Sequence, residues 1–311
     1  MARTDTRFEF EAADGTIINM SSENIYVTHY SGLGAPSVID RTKQVSNRPG
    51  KAHVYTSADA RQINLTVWVI SYGINNEAAA VQQKLLERLT SKMLLTDGSN
   101  AARLGKLRIT RYDETTVEID CGVVGGLDGQ DITTEAAFIY QLNISFSAAY
   151  PMFRAIRPTV REFPITYGDD SPKDGDTETT VGYEKPFAAC YIDVDGSASS
   201  ENYEITINGP SVKPLIWNRS SGFNNVARFD GVVRAGEALT VRGRTHPEAG
   251  GNDYYKLASG ADWSHELLPG GFLPTLIEGT NEIIVMQDNI HDDLQNVTIS
   301  WYNEYLTSGL V

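Results

Sequence analysis

A mostly β protein of two antiparallel domains is predicted by three features of the sequence. Apolar and polar side chains alternate over long runs, one segment alone carries a helical stripe, and glycine turns punctuate the second half at short intervals. At 311 residues the chain is also long enough to favour two cores over one. The first domain is expected over residues 1–164 as an antiparallel β-barrel or sandwich with one amphipathic α-helix. The second is expected over 186–311 as a β-sandwich, with 165–185 as an acidic, flexible linker.

Within the first domain the clearest strands are 62–69 and 138–146. Ile63, Leu65, Val67 and Val69 alternate with Gln62, Asn64 and Thr66, and every even position from Phe138 to Phe146 is apolar. That two-residue period places one face of each strand in a core. From Glu77 to about Leu95 the period changes. Ala78, Val81, Leu85, Leu89 and Met93 form the apolar stripe of a helix, with Gln82, Lys84, Glu87 and Arg88 mostly off it. Asn75 or Asn76 is placed to cap its start, and Glu77 and Lys92 suit its positive and negative ends.

After this helix Asp97-Gly98 turns the chain, and short strands follow near 107–109 and 117–123. The segment Gly125–Asp131 reads as a flexible hairpin tip, which makes Gly126, Leu127, Asp128, Gly129 and Gln130 candidate subunit contacts. Pro151 ends strand pairing near the close of the domain. In the second domain strands are expected at 191–194, 203–207, 239–241, 281–286 and 297–301, separated by turns such as Asp195-Gly196 and Asp230-Gly231.

The charge narrows the function. With 26 Lys and Arg against 40 Asp and Glu, the net charge of −14 argues against a phosphate-gripping surface. Residues 1–10 lack the apolar stretch of a signal peptide, and no apolar run approaches the ~20 residues of a membrane helix. Membrane insertion is therefore not expected, and synthesis in the cytoplasm is. Cys121 and Cys190 read as ordinary thiols, not a disulfide framework.

Chemistry is sparse. The five histidines are scattered, without metal-ligand spacing. Ser264-His265-Glu266 holds triad residue types, but strand neighbours point to opposite faces and cannot form a relay. Asp193-x-Asp195-Gly196 resembles the opening of a calcium loop but lacks the remaining ligand spacing. No catalytic, cofactor-binding or metal-binding residue is assigned, and no cofactor is expected. Trp217 and Trp263, nearer turns than Trp301, remain candidates for stacking on a glycan.

The order of motifs resembles that of the siphophage distal tail protein family (Dit), the tail-tip or baseplate hub ring proteins. The series runs Gly15-Thr-Ile-Ile18, Tyr30 before Gly32–Pro36, Arg48-Pro-Gly50, Arg61-x-Ile63-x-Leu65, the helix with Leu85, Leu86 and Leu89, Leu107-x-Ile109, Cys121-Gly122 and Phe146–Phe153. It continues through Ile205-x-Ile207-x-Gly209, Pro214–Asn218, Gly236–Val241, Trp263 with Leu267–Gly270, and Gly279–Ile283.

The resemblance implies a galectin-like fold for the C-terminal sandwich and a virion structural protein at the tail tip. It implies a homo-oligomeric, hexameric ring between the tail tube protein above and a tail-tip or fibre protein below. In such a ring DNA passes without tight nucleic-acid binding, so a bore that is neutral or acidic is expected. Short inter-strand turns leave no room for the inserted carbohydrate-binding modules of enlarged members. A carbohydrate-binding β-sandwich module acting in adhesion is the alternative reading, with a glycosidase third.

Overall fold

A computed structural model of the chain describes residues 6–44, 51–73, 75–94, 104–165, 187–222, 226–244, 255–271, 273–288 and 296–309. Two compact units emerge, Met1–Ile156 with Tyr305–Val311, and Arg157–Glu304. The expected linker, apart from Ile165, lies outside the described residues, as does Arg48-Pro-Gly50.

The first unit contains β1 (Arg7–Glu11), β2 (Ile17–Asn19), β3 (Ile25–Ser31), β4 (Val38–Gln44), β5 (Lys51–Ala58), β6 (Arg61–Tyr72) and α1 (Asn76–Met93). It continues with β7 (Gly105–Thr110), β8 (Thr116–Gly125), β9 (Gln130–Asp131), β10 (Ala137–Ala148) and β11 (Phe153–Ala155). Antiparallel pairing runs β2-β1-β7-β8-β10-β6-β3, with β9 added on β10 and β11 on β8. β2 and β3 are linked by the isolated bridge Ser21–Tyr26, not by a continuous ladder, so the sheet curls without closing into a barrel.

Its concave side holds the core. Phe8, Phe10, Ile63, Leu65, Val67, Leu107, Ile109, Val117, Ile119, Leu142, Ile144 and Phe146 are all buried there, each from the inward phase of its strand. The alternation read from 62–69 is realised in β6 and that from 138–146 in β10 from Leu142 on, whereas at its start Ala137 and Ile139 are buried on the opposite face with Ile70. The two strands pair along their whole length from Tyr72–Ala137 to Arg61–Ala148.

Helix α1 packs on β6 and β10 and follows the expected stripe with one change. Asn75 caps it, its side chain accepting from the Ala78 N–H at 2.8 Å. Lys92 in the last turn pairs with Asp14 at 2.6 Å. Ala78, Leu89 and Met93 are buried with Leu85 and Leu86 beside them, but Val81 is 46% exposed. The sheet-facing position one residue on is Gln82, whose amide donates to the Val69 carbonyl at 3.3 Å. Asn75→Ala is expected to cost about 1 kcal/mol in a urea titration, with Asn75→Asp near wild type. Equal midpoints for all three proteins would show that the cap contributes nothing.

The second unit contains β12 (Thr159–Pro164), β13 (Phe187–Val194), β14 (Tyr203–Asn208), β15 (Ser211–Val212), β16 (Leu215–Asn218) and β17 (Val226–Arg228). β18 (Val232–Val233), β19 (Ala238–Arg242), β20 (Tyr255–Leu257), β21 (Gly279–Met286) and β22 (Asn296–Trp301) complete it. Two antiparallel sheets, β12-β22-β14-β19-β20 and β13-β21-β16-β17, contribute alternate residues to one shared core. Ile205, Leu239, Val297 and Trp301 come from the first sheet, and Ile192, Ile216, Ile283 and Val285 from the second. This is the sandwich read from the sequence. β12 pairs with β22, so residues 157–164 belong to this unit and the first unit's opening stretch closes at Ile156, earlier than 164.

Candidate functional site

The segment 126–130, expected as a free tip, instead lies against β10. Gly125 pairs with Ser145 and Gln130 with Gln141, so the four residues 126–129 run beside the three residues 142–144. One extra residue per span is the signature of a bulge, where ladder pairing is lost but the chain still tracks its neighbour. Gly126 has φ +85°, and a Cβ there would sit 1.7 Å from the Asn143 carbonyl oxygen. At Gly129 a Cβ would lie 2.0 Å from the Gln141 oxygen, and the Tyr140 hydroxyl donates to the Gly129 carbonyl at 2.8 Å.

Leu127 packs partly into the first core, leaving Asp128 and Gln130 exposed. The glycines thus serve close approach, not mobility. The chain actually turns at 132–136, where the Ile132 and Thr134 N–H groups donate to the Ile139 and Ala137 carbonyls.

Both candidate glycan platforms are core side chains. Trp217 is 7% exposed, packs with Ile284 and Met286, and donates to the Gly222 carbonyl at 3.3 Å. Trp263 is 6% exposed, stacked on Phe229 at 5.7 Å and covered by Gly231, where a Cβ would come within 2.6 Å of the indole. Neither ring offers an open face. Proximity to turns suggested exposure, whereas packing decides it: Trp263 lies in the sandwich core, and Trp217 in a small cluster on the opposite face of the β16–β21 sheet.

The run Ser264–Glu266 forms a 3₁₀ turn, not a strand. His265 Nε2 lies 3.2 Å from Glu266, but the Ser264 hydroxyl donates to Asp262 at 3.0 Å, so no relay is assembled. Asp193 accepts from the Thr280 hydroxyl across the sheet at 2.7 Å. Among the described residues no group of three or more His, Cys, Asp or Glu is placed to hold a metal ion. Burial pushes the Cys121 thiol up to about 12, which leaves it protonated and unreactive.

A polar centre whose contacts no residue pattern marks surrounds Arg61. Its Nε donates to the Pro151 carbonyl at 2.8 Å, Nη1 to Gly32 at 2.9 Å and also to Gly34, and Nη2 to Leu306 at 2.7 Å. The guanidinium lies over the Phe153 ring, 4.7 Å from its centroid. Burial without a carboxylate partner lowers the Arg61 pKa to about 10. One side chain thereby ties together the Gly32–Pro36 loop, the Pro151 exit and the returning C-terminal segment. Arg61, the Gly32–Pro36 loop and Pro151 are motif residues of the resemblance; Leu306 is not.

A second network lies on the convex face of β1, β7, β8 and β11. Arg154 spans Glu118 at 2.9 Å and Asp120 at 2.7 Å, Arg108 reaches Glu118 at 3.2 Å, and Arg108 also pairs with Glu11. Burial opposes the Arg154 charge, but the Asp120 and Glu118 carboxylates outweigh it and raise its pKa.

Two surfaces are left open. β4 and β5 pair only with each other among the described residues, as a two-stranded ribbon closed at its base by the Asp59 N–H donating to the Ser37 carbonyl at 2.8 Å. Elsewhere, among the described residues, edge strand β2 forms a continuous ladder only with β1, and a cavity of about 240 Å³ separates it from α1, lined by Ile17, Ile18, Ile25, Leu85, Arg88 and Leu89.

These features define a class: a two-unit antiparallel β protein with open strand edges. More particularly, the chain has the fold of the SPP1 Dit protein, described as a paradigm of the hub adsorption apparatus in phages infecting Gram-positive bacteria. The TM-score is 0.61 at 12% identity, covering 95% of this chain and 98% of that one. Phage P2 baseplate chains in the activated conformation with calcium and with strontium align at TM-score 0.45 and 9% identity over 96% of this chain, covering 98% and 97% of theirs. No protein-family model matches the chain, and no curated protein matches it.

Proposed function

We propose that this chain is a non-catalytic structural component of a phage tail tip. Copies of it close into a ring, six by the family resemblance, which joins the tail tube above to a tail-tip or fibre protein below and lets DNA pass. The observation that carries this reading is the fold shared with the SPP1 hub protein over nearly the full length of both chains. A ring of identical subunits needs two unlike, complementary surfaces on each copy. The β4–β5 ribbon and the β2 edge with its cavity supply two such surfaces. An isolated two-stranded ribbon is marginal in water, so this one gains its stability from a neighbour. Unpaired edges similarly call for covering. Asp128 and Gln130, exposed beside the bulge, are further contacts in this scheme.

The reading as a free glycan-binding module loses its support with the burial of Trp217 and Trp263. Native mass spectrometry and electron microscopy of the purified 34.1 kDa chain test the ring directly. Replacing residues 38–58 with a short Gly-Ser loop is expected to leave the thermal transition in place and abolish rings, because among the described residues the ribbon joins no other sheet. Rings that persist without the ribbon would remove it from the assembly mechanism.

A further inference from the structure

We propose that the convex face of β6 and β10 lines the bore of the ring, as a surface made for a moving polyanion, double-stranded DNA. The proposal rests on the ring reading above and specifies which surface of the first unit faces the passage. The face is defined by strand phase. While Ile63, Leu65, Leu142 and Ile144 point into the core, Gln62, Asn64 and Thr66 of β6 and Gln141, Asn143, Ser145 and Ser147 of β10 point away from it.

No outward position of either strand carries a charge, across the twelve residues of each. The same curved sheet carries Glu9, Glu11, Lys106, Arg108, Glu118, Asp120 and Arg154 on the convex side of its other half. Charge is therefore absent from one face of a chain in which 21% of residues are charged.

The uncharged groups also satisfy one another. The Thr66 hydroxyl donates to Asn143 Oδ1 at 3.1 Å, the Ser145 hydroxyl to Asn64 Oδ1 at 2.8 Å, and the Trp68 indole to Gln141 Oε1 at 3.1 Å. These bonds occupy the amide oxygens, so the donors the face presents are uncharged amide N–H groups, which hold a phosphate less strongly than Lys or Arg would. Without Lys or Arg there is no counterion release to hold DNA, and without carboxylates there is no repulsion to exclude it. Nor does the polar end of this face resemble the core of a protein interface, which needs large apolar anchors. Larger groups, Tyr26, Trp68, Ile70 and Ile139, gather only at the other end of the ladder. His29 on β3, opposite Thr66, lies at the margin.

The test places charge on the face. Asn64 and Asn143 are exposed, so the double variant Asn64→Lys/Asn143→Lys should fold and form rings as the wild type does. Rings of each protein are mixed with linear and with covalently closed circular DNA of equal length. Only a linear molecule can be threaded through a closed ring. The expected result is that wild-type rings bind neither DNA, while the double-Lys rings bind linear but not circular DNA. That binding should fall by about tenfold or more between 50 and 200 mM salt, as multiple phosphate contacts require.

Equal binding to both DNAs would put the face on the outside of the ring and overturn the proposal. Absence of binding to linear DNA would overturn it as well. A folded double variant that forms no ring would make the face a subunit contact instead. A wild-type chain that forms no ring would refute the ring reading, and this proposal with it.

Discussion

Arg61→Met will lower the thermal transition of the first unit by about 10 °C. The guanidinium is the donor to the carbonyls of Pro151, Gly32, Gly34 and Leu306, which lie 90, 29, 27 and 245 residues away along the chain. Methionine keeps the contact with Phe153 but removes every donor. An orphaned buried carbonyl costs about 1–3 kcal/mol, and partial access of water makes the costs less than additive. A total of about 3–5 kcal/mol is expected from the four carbonyls, less than the simple sum because three of the bonds are only part-buried. At roughly 2–4 °C per kcal/mol this gives the stated shift.

Arg61→Lys should recover less than half of the loss. A single ammonium cannot span carbonyls that the planar fork reaches from three nitrogens. Hydrogen exchange would show the consequence locally, with faster exchange at Ser308, whose N–H donates to the Leu33 carbonyl beside the same loop. An Arg61→Met protein melting within about 2 °C of wild type would mean that water replaces the guanidinium without cost.

What the sequence made legible follows from where the physics is local. Strands β6 and β10 could be read because each has one buried face, which forces a two-residue period on residues adjacent in sequence. The helix could be read through its stripe and its cap at Asn75, both matters of a few residues. Val81 was misplaced by one step, because the sheet meets the helix along a line through Gln82. The sandwich strands of the second unit were legible from alternation and glycine turns, whereas the assignment of β12 to that unit depends on pairing with β22, more than 130 residues away.

The Arg61 centre was legible only as separate motif residues, not as contacts. Its partners are backbone carbonyls, which every residue possesses, so no residue type signals them. The Arg154–Glu118–Asp120 network is hidden for a related reason, since many other carboxylates of the chain could have been its partners. Trp217 and Trp263 illustrate the reverse error: a residue near a turn in sequence is exposed only if no other strand covers it.

Gly126→Ala will destabilise the first unit by about 2–4 kcal/mol, although the sequence alone marks this glycine as part of a tolerant loop. Two costs combine. At φ +85° a side chain is strained, by about 1–2 kcal/mol for a left-handed L-residue. In addition, the new methyl would meet the Asn143 carbonyl at 1.7 Å, a clash with backbone that no rotamer change can relieve. The bulge must therefore lift off β10, and Gln130 loses its register with Gln141. Gly125→Ala, one residue away, is the control, because a Cβ there meets nothing within 4 Å.

The expected result is a thermal transition lowered by about 5–10 °C for Gly126→Ala and by under 2 °C for Gly125→Ala. Asp128→Lys separates folding from assembly at the same segment. Its side chain is exposed, so it should leave the melt unchanged while weakening ring formation if the bulge meets a neighbouring subunit. Equal melting of Gly125→Ala and Gly126→Ala would show that the segment is free to move away from β10. The expectation of a mobile tip would then be the better description, and close packing would not be the reason for its glycines.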